Sequence, residues 1–107
     1  MSYQDIENEM QEKGLTAPRI TPADIESKIF SEEFILQPAG TTLTICILML
    51  KNGYTVTGES ACASPENFDQ DMGMKIARKN AADKVWTLEG YLLKEKLYLQ
   101  HFSVLFS

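Results

Sequence analysis

The 107-residue sequence holds one histidine, two cysteines and one tryptophan. A single histidine, His101, cannot furnish a cluster of imidazole ligands, and no spacing of Cys, Asp and Glu offers a substitute, so neither a metal nor a cofactor is expected. Cys46 and Cys62 are too few for a disulfide scaffold and read as reduced thiols of a cytosolic protein. Nucleophilic catalysis would need one of them beside a base. Cys46 reads as core, Cys62 stands just ahead of a helix start, and His101 lies at the far end of the chain, so a non-enzymatic protein is expected. No stretch approaches the roughly 18 consecutive apolar residues of a membrane span. The opening MSYQDIENEM is acidic where a secretory signal would be basic and then apolar. A cytoplasmic protein with no membrane partner is the expectation.

Positive charge is also scarce. The formal net charge is −5, and residues 1–33 account for all of it with eight acids against three bases. An acidic arm on a neutral body argues against binding nucleic acid by bulk charge, although a local basic site stays open. The length suits one compact domain. Residues 1–20 read as an acidic N-terminal arm and 21–107 as a single α+β domain.

Residues 4–13 read as a short polar helix of marginal order, anchored only by Ile6 and Met10 and ended by Gly14. Thr21-Pro22 then signals a capped helix through Ile29. Phe34 and Leu36 lead into the turn cluster Gln37-Pro38-Ala39-Gly40, and Thr42–Leu50 alternates as a strand rich in β-branched residues. Both of its faces turn apolar, which predicts a central strand covered on each side. Asn52-Gly53 predicts a two-residue type I′ hairpin, pairing Lys51 with Tyr54, Ile47 with Gly58, Cys46 with Glu59 and Leu43 with Cys62. Ser64-Pro65-Glu66 predicts the start of a helix running to about Gln100, with Glu66, Asp69 and Asp71 favouring its positive end. The fold expected is thus short N-terminal helices, an antiparallel hairpin or three-stranded meander, and a long C-terminal helix.

Placed at ~100° per residue, that helix carries two apolar stripes. One holds Phe68, Met72, Trp86, Gly90, Leu93 and Leu97, and the other Met74, Ala77, Ala81, Val85, Leu88, Leu92 and Leu99. A sheet can cover one of them. The second predicts burial by residues 21–30 or by another subunit. Ala81, Val85, Leu88 and Leu92 are spaced like a coiled-coil seam interrupted by Glu95, so a homo-oligomer through this helix is expected. The tail His101-Phe102-Ser103-Val104-Leu105-Phe106, with four more apolar side chains, points the same way.

Small polar residues at the junction Thr57–Ser64 could offer backbone N–H groups to an anion, but Glu59, Glu66 and Asp69 oppose one and a structural cap is the preferred reading. Should the oligomer form, a ligand pocket is expected where this junction meets a neighbouring helix, lined by Thr57, Ser60, Ser64, Asn67, Arg78 and Trp86. The segment Lys75-Ile76-Ala77-Arg78-Lys79-Asn80-Ala81-Ala82, together with the order helix, three strands, helix, resembles a double-stranded RNA-binding domain. That makes Lys75, Arg78 and Lys79 an alternative nucleic-acid surface. Their plainer reading is a solvated helix face.

Across Thr44 to Leu93 the motifs KNGYTVTGESA, SPENFD, KIARKNA and W-x-LEGYLL resemble a family of small tailed-phage proteins typed by gene product 49 of coliphage N-four and gene 66 of Shigella phage Sf-six. The resemblance implies a phage or prophage origin and a life in the bacterial cytoplasm, and it carries over no activity and no catalytic residue. The function expected is a phage accessory protein that binds a host protein or a small host molecule, a nucleotide signal among the candidates, to modulate host defence or metabolism.

Overall fold

The computed structural model describes residues 2–106, with side chains to residue 102. Its order is α1 (Tyr3–Glu12), α2 (Pro22–Lys28), β1 (Ile29–Leu36), β2 (Thr44–Leu50), β3 (Thr55–Ser60) and α3 (Gln70–Phe106). The three strands form an antiparallel meander in the order β1-β2-β3. This is the α+β arrangement expected.

Two local signals are used differently from their sequence reading. The hairpin is one residue out of the expected register: Thr44 faces Ser60, Cys46 faces Gly58 and Ile47 faces Thr57. The loop holds three residues, with Gly53 N–H donating to the Leu50 carbonyl and Leu50 N–H to the Tyr54 carbonyl. Gly53 alone is left-handed, at φ 89°, which is the type I turn plus bulge rather than the two-residue turn. The long helix begins five residues later than expected. Pro65–Asn67 form a separate 3₁₀ turn, Phe68 returns to an extended conformation at ψ 126°, and Asp69 then caps α3 by accepting from Met72 N–H at 3.0 Å.

The core sits between the sheet and α3. Thr44, Cys46, Leu48 and Leu50 alternate with half-exposed neighbours along β2 and meet Val56, Ala77, Ala81, Val85 and, from α2, Ile25. The reason for alanine here is the closeness of the crossing. A Cβ on Gly58 would fall 2.2 Å from both the Ala77 carbonyl oxygen and the Ala81 nitrogen, so the helix backbone lies directly on β3. The expectation of a strand covered on both faces is corrected: Ile45, Ile47 and Met49 are half-exposed on the side away from α3, joined by an exposed Ile35. No described helix packs there; α2 and α3 both belong to the core side.

The seam expected for an oligomer is also partly corrected. Ala81 and Val85 are fully buried against the chain's own sheet, Leu88 packs on the same core, and only Leu92 is exposed. Past Leu92 the helix overhangs the sheet. It spans about 55 Å, against about 23 Å for a seven-residue strand, and the radius of gyration of 17.6 Å exceeds the about 13 Å of a compact chain this long. Side chains of the tail beyond Phe102 lie outside the described residues.

The N-terminal arm is folded back rather than marginal. Ser2 and Asp5 form a reciprocal capping box, whose hydrogen bonds from Ser2 hold the Asp5 carboxyl below its ordinary pKa. Glu7 is buried and ion-paired with Arg19, a pairing that a buried carboxylate requires.

Candidate functional site

Lys75, Arg78, Lys79, Ala82 and Trp86 recur at helical spacing on one flank of α3, which α1 and α2 partly roof. The roof leaves two chambers, of about 310 Å³ and about 300 Å³, that share Tyr3, Pro22 and Trp86 as a common wall. The Tyr3 and Trp86 rings lie 4.9 Å apart between centroids at 42°. Lys79 Nζ stands 5.3 Å above the Tyr3 ring, within the range of a cation–π contact. The first chamber is closed by Ser2, Ile25 and Glu26, and the second by Ile6, Glu7, Met10 and Ile20.

Two polar atoms of this wall are buried and unpaired. Tyr3 OH and Trp86 Nε1 have no hydrogen-bond partner, and leaving such a group unsatisfied costs about 1–3 kcal/mol. The wall presents an aromatic face to a bound molecule, while the two unpaired groups are closed off from solvent.

Arg78 at the rim is engaged by two elements at once. Its Nη1 and Nη2 donate to Glu26 of α2 at 3.1 and 2.9 Å, and its Nε donates to Glu32 of β1 at 2.7 Å. Hydrogen bonding to Glu26, against the opposing desolvation and with help from Glu32, holds the guanidinium above its ordinary pKa. Arg78 ties α2, β1 and α3 together, and its charge is matched by two carboxylates. Lys75 and Lys79 supply the further positive charge at the rim, with Lys79 3.5 Å from Asp83.

The six residues expected to share one pocket are divided among four places. Arg78 and Trp86 meet in the cleft just described. Ser60 and Asn67 border a separate hollow of about 100 Å³ with Thr42, Cys62 and Gly73. Thr57 lies on the sheet face away from α3, donating to Glu59 at 3.2 Å. Ser64 is exposed, caps nothing with its side chain, and accepts from the Cys62 thiol at 3.4 Å through its carbonyl. The alternative set, Lys75, Arg78 and Lys79, stays together on the cleft rim. Tyr3 and Pro22 were missed, because the docking of α1 and α2 onto α3 joins residues distant in the sequence and leaves no periodic mark. The Ser2–Asp5 box was the one local sign that α1 begins at Tyr3.

The thiols are separate. Cys46 is fully buried, and burial pushes its pKa up, with Glu32 adding to the rise. Cys62 has a backbone carbonyl as its neighbour. Among the described residues no group of three or more His, Cys, Asp and Glu is placed to hold a metal, and no helix is long and apolar enough to cross a membrane.

No curated protein and no solved structure matches the chain. A family model does, over residues 20–97. The matched stretch takes in α2, the sheet and α3 into the first part of the overhang, so Trp86, Arg78 and Pro22 lie within it and Tyr3 lies outside. With well over half its length matched, the chain belongs to the phage protein (N4 Gp49/phage Sf6 gene 66) family.

Proposed function

We propose that this is a non-enzymatic phage accessory protein that acts in the cytoplasm of the bacterial host by binding a small host molecule, and thereby modulates host defence or metabolism. The observation that carries the reading is the cleft over Trp86. It is of small-molecule size, mainly apolar, and provided with a few convergent polar groups, which is the usual make-up of a ligand site. A ligand with a planar ring and an anionic group suits it best. The ring would take the Trp86 face, and the anion would lie toward Lys75 and Lys79. A nucleotide signal has this chemistry.

Trp86 is the sole tryptophan, so its emission reports the cleft alone. Titration with a panel of mono- and cyclic dinucleotides is expected to quench or shift that emission saturably with at least one member, and Lys79→Ala is expected to weaken the response at least tenfold. A panel without effect would overturn the nucleotide reading and leave a host protein as the bound partner.

One observation favours a nucleic-acid surface as second reading: Lys75, Arg78 and Lys79 lie together on a helix that follows three strands, with α2 and α3 on the same sheet face. The engagement of Arg78 by Glu26 and Glu32 weakens it. Duplex RNA added to the same titration at two salt concentrations separates the readings, since phosphate binding falls steeply with salt.

A further inference from the structure

The two short helices that roof the flank of α3 are held there in different ways. α2 puts Ile25 into the core at 2% exposure and is pinned to α3 by the Glu26–Arg78 ion pair. α1 buries no apolar side chain completely: Tyr3 and Met10 are half-buried, Ile6 is 44% exposed, and its one buried residue is Glu7. Among the described residues no hydrogen bond joins α1 to α2, to the sheet or to α3. Its side-chain hydrogen bonds stay local, Ser2 with Asp5 and Gln4 with Asn8, apart from that of Glu7 with Arg19 in the connecting segment.

The fit beneath α1 is loose as well. Chambers of about 310 Å³ and about 300 Å³ remain under it. Of the four buried polar atoms without a hydrogen-bond partner among the described residues, three belong to Tyr3, Trp86 and Arg19, the residues of this contact. Groups that a contact leaves unpaired regain water when the contact opens, which favours opening. The connection allows it. Residues 13–18 are exposed throughout, Gly14 among them is left-handed at φ 69° with nothing within 4 Å of an added Cβ, and the chain rejoins the core at Ile20.

We propose that α1 is a hinged lid over Trp86, lifting about residues 13–18 while α2, the sheet and α3 stay folded. Closed, it stacks Tyr3 on Trp86 and lies under Lys79. Open, it frees the indole face and Lys79 for an incoming molecule. Glu7–Arg19 is the latch, because it ties the middle of α1 to the residue before Ile20. A released helix of ten residues is marginal in water, so lifting and unravelling go together. That the lid gates a ligand rests on the reading of the cleft as a binding site, whereas the lifting rests on the packing alone.

Native-state hydrogen exchange of the full chain, followed by NMR without any ligand, tests the lifting. Corrected for intrinsic rates, the amides of residues 7–11 are expected to exchange at least about a hundredfold faster than those of Cys46 and Leu48, and at a rate that low urea barely changes, as a local opening that exposes little surface does. Arg19→Met, which breaks the latch, should speed exchange in α1 a further tenfold or more and raise acrylamide quenching of Trp86 about twofold, while the amides of Cys46 and Leu48 keep their wild-type rates. Amides of α1 that share the rate and urea dependence of Cys46 and Leu48 overturn the proposal, since α1 then opens only when the whole chain unfolds. Trp86 quenching that stays at the wild-type value while α1 of Arg19→Met exchanges faster overturns it too, since the arm then does not cover the tryptophan. No nucleotide enters either measurement, so a failed lid and a failed nucleotide panel are separate results.

Discussion

Between Gln70 and Glu89 the long helix turns alanines and a valine toward the sheet, and between Gly90 and Phe102 it turns leucines, tyrosines and a phenylalanine toward solvent. Both halves carry apolar residues at the same helical spacing, so periodicity cannot tell them apart. Side-chain size can. Small residues collect where a backbone lies close, as Gly58 does beneath Ala77 and Ala81. Large ones are kept where the sheet no longer lies over the helix. The contrast marks where intrachain packing ends on a helix that is continuous in every other respect.

The sharpest way to break the comparison is at its tightest point. Gly58→Val would drive side-chain atoms into the backbone of α3, and the cost expected is more than about 4 kcal/mol, enough to leave an unfolded or insoluble chain. A soluble variant with a wild-type urea midpoint would mean that the close crossing does not exist. Next in size is a paired measurement. Val85→Ala, at a fully buried position, should cost about 2 kcal/mol of unfolding free energy, while Leu99→Ala, in the overhang, should change stability by less than about 0.5 kcal/mol. Equal losses would erase the distinction between the halves. The smallest effect is a gain. Gly90, where an added Cβ would meet nothing within 4 Å, should yield about 0.5–1 kcal/mol on Gly90→Ala through helix propensity alone. A loss there would reveal a packed neighbour or a required bend.

The element order, the meander and the long helix were legible because each has a local cause: Thr21-Pro22, Asn52-Gly53 and the alternation along β2. What failed were choices between local signals of equal strength. Asn-Gly serves a two-residue loop or, with Lys51, a three-residue loop, and only tertiary packing decides which register puts Gly58 rather than Glu59 opposite Cys46. Ser64-Pro65 and Asp69 are both good helix starts five residues apart. The sequence cannot say that Phe68 will turn extended between them. Apolar residues on both faces of β2 read as two-sided cover, yet no described helix lies over Ile45, Ile47 and Met49. At the candidate site, Arg78 and Trp86 were visible as neighbours on one helix flank, whereas Tyr3 reaches them only through the folding back of α1.

The bare face of β2 has a consequence for how the chain is made. Strands leave the ribosome before the helix that covers them. At about 5–20 residues per second, the roughly 35 residues between Leu50 and Val85 take on the order of two to seven seconds to synthesise. During that interval Cys46, Leu48 and Leu50 lie as open as Ile45, Ile47 and Met49. The neighbouring strand meets this exposure with Ser31, Glu32 and Glu33, paired opposite Met49, Leu48 and Ile47. Charged gatekeepers beside an apolar strand hold nascent copies apart, and Glu32 later passes to a second duty when Arg78 arrives on α3.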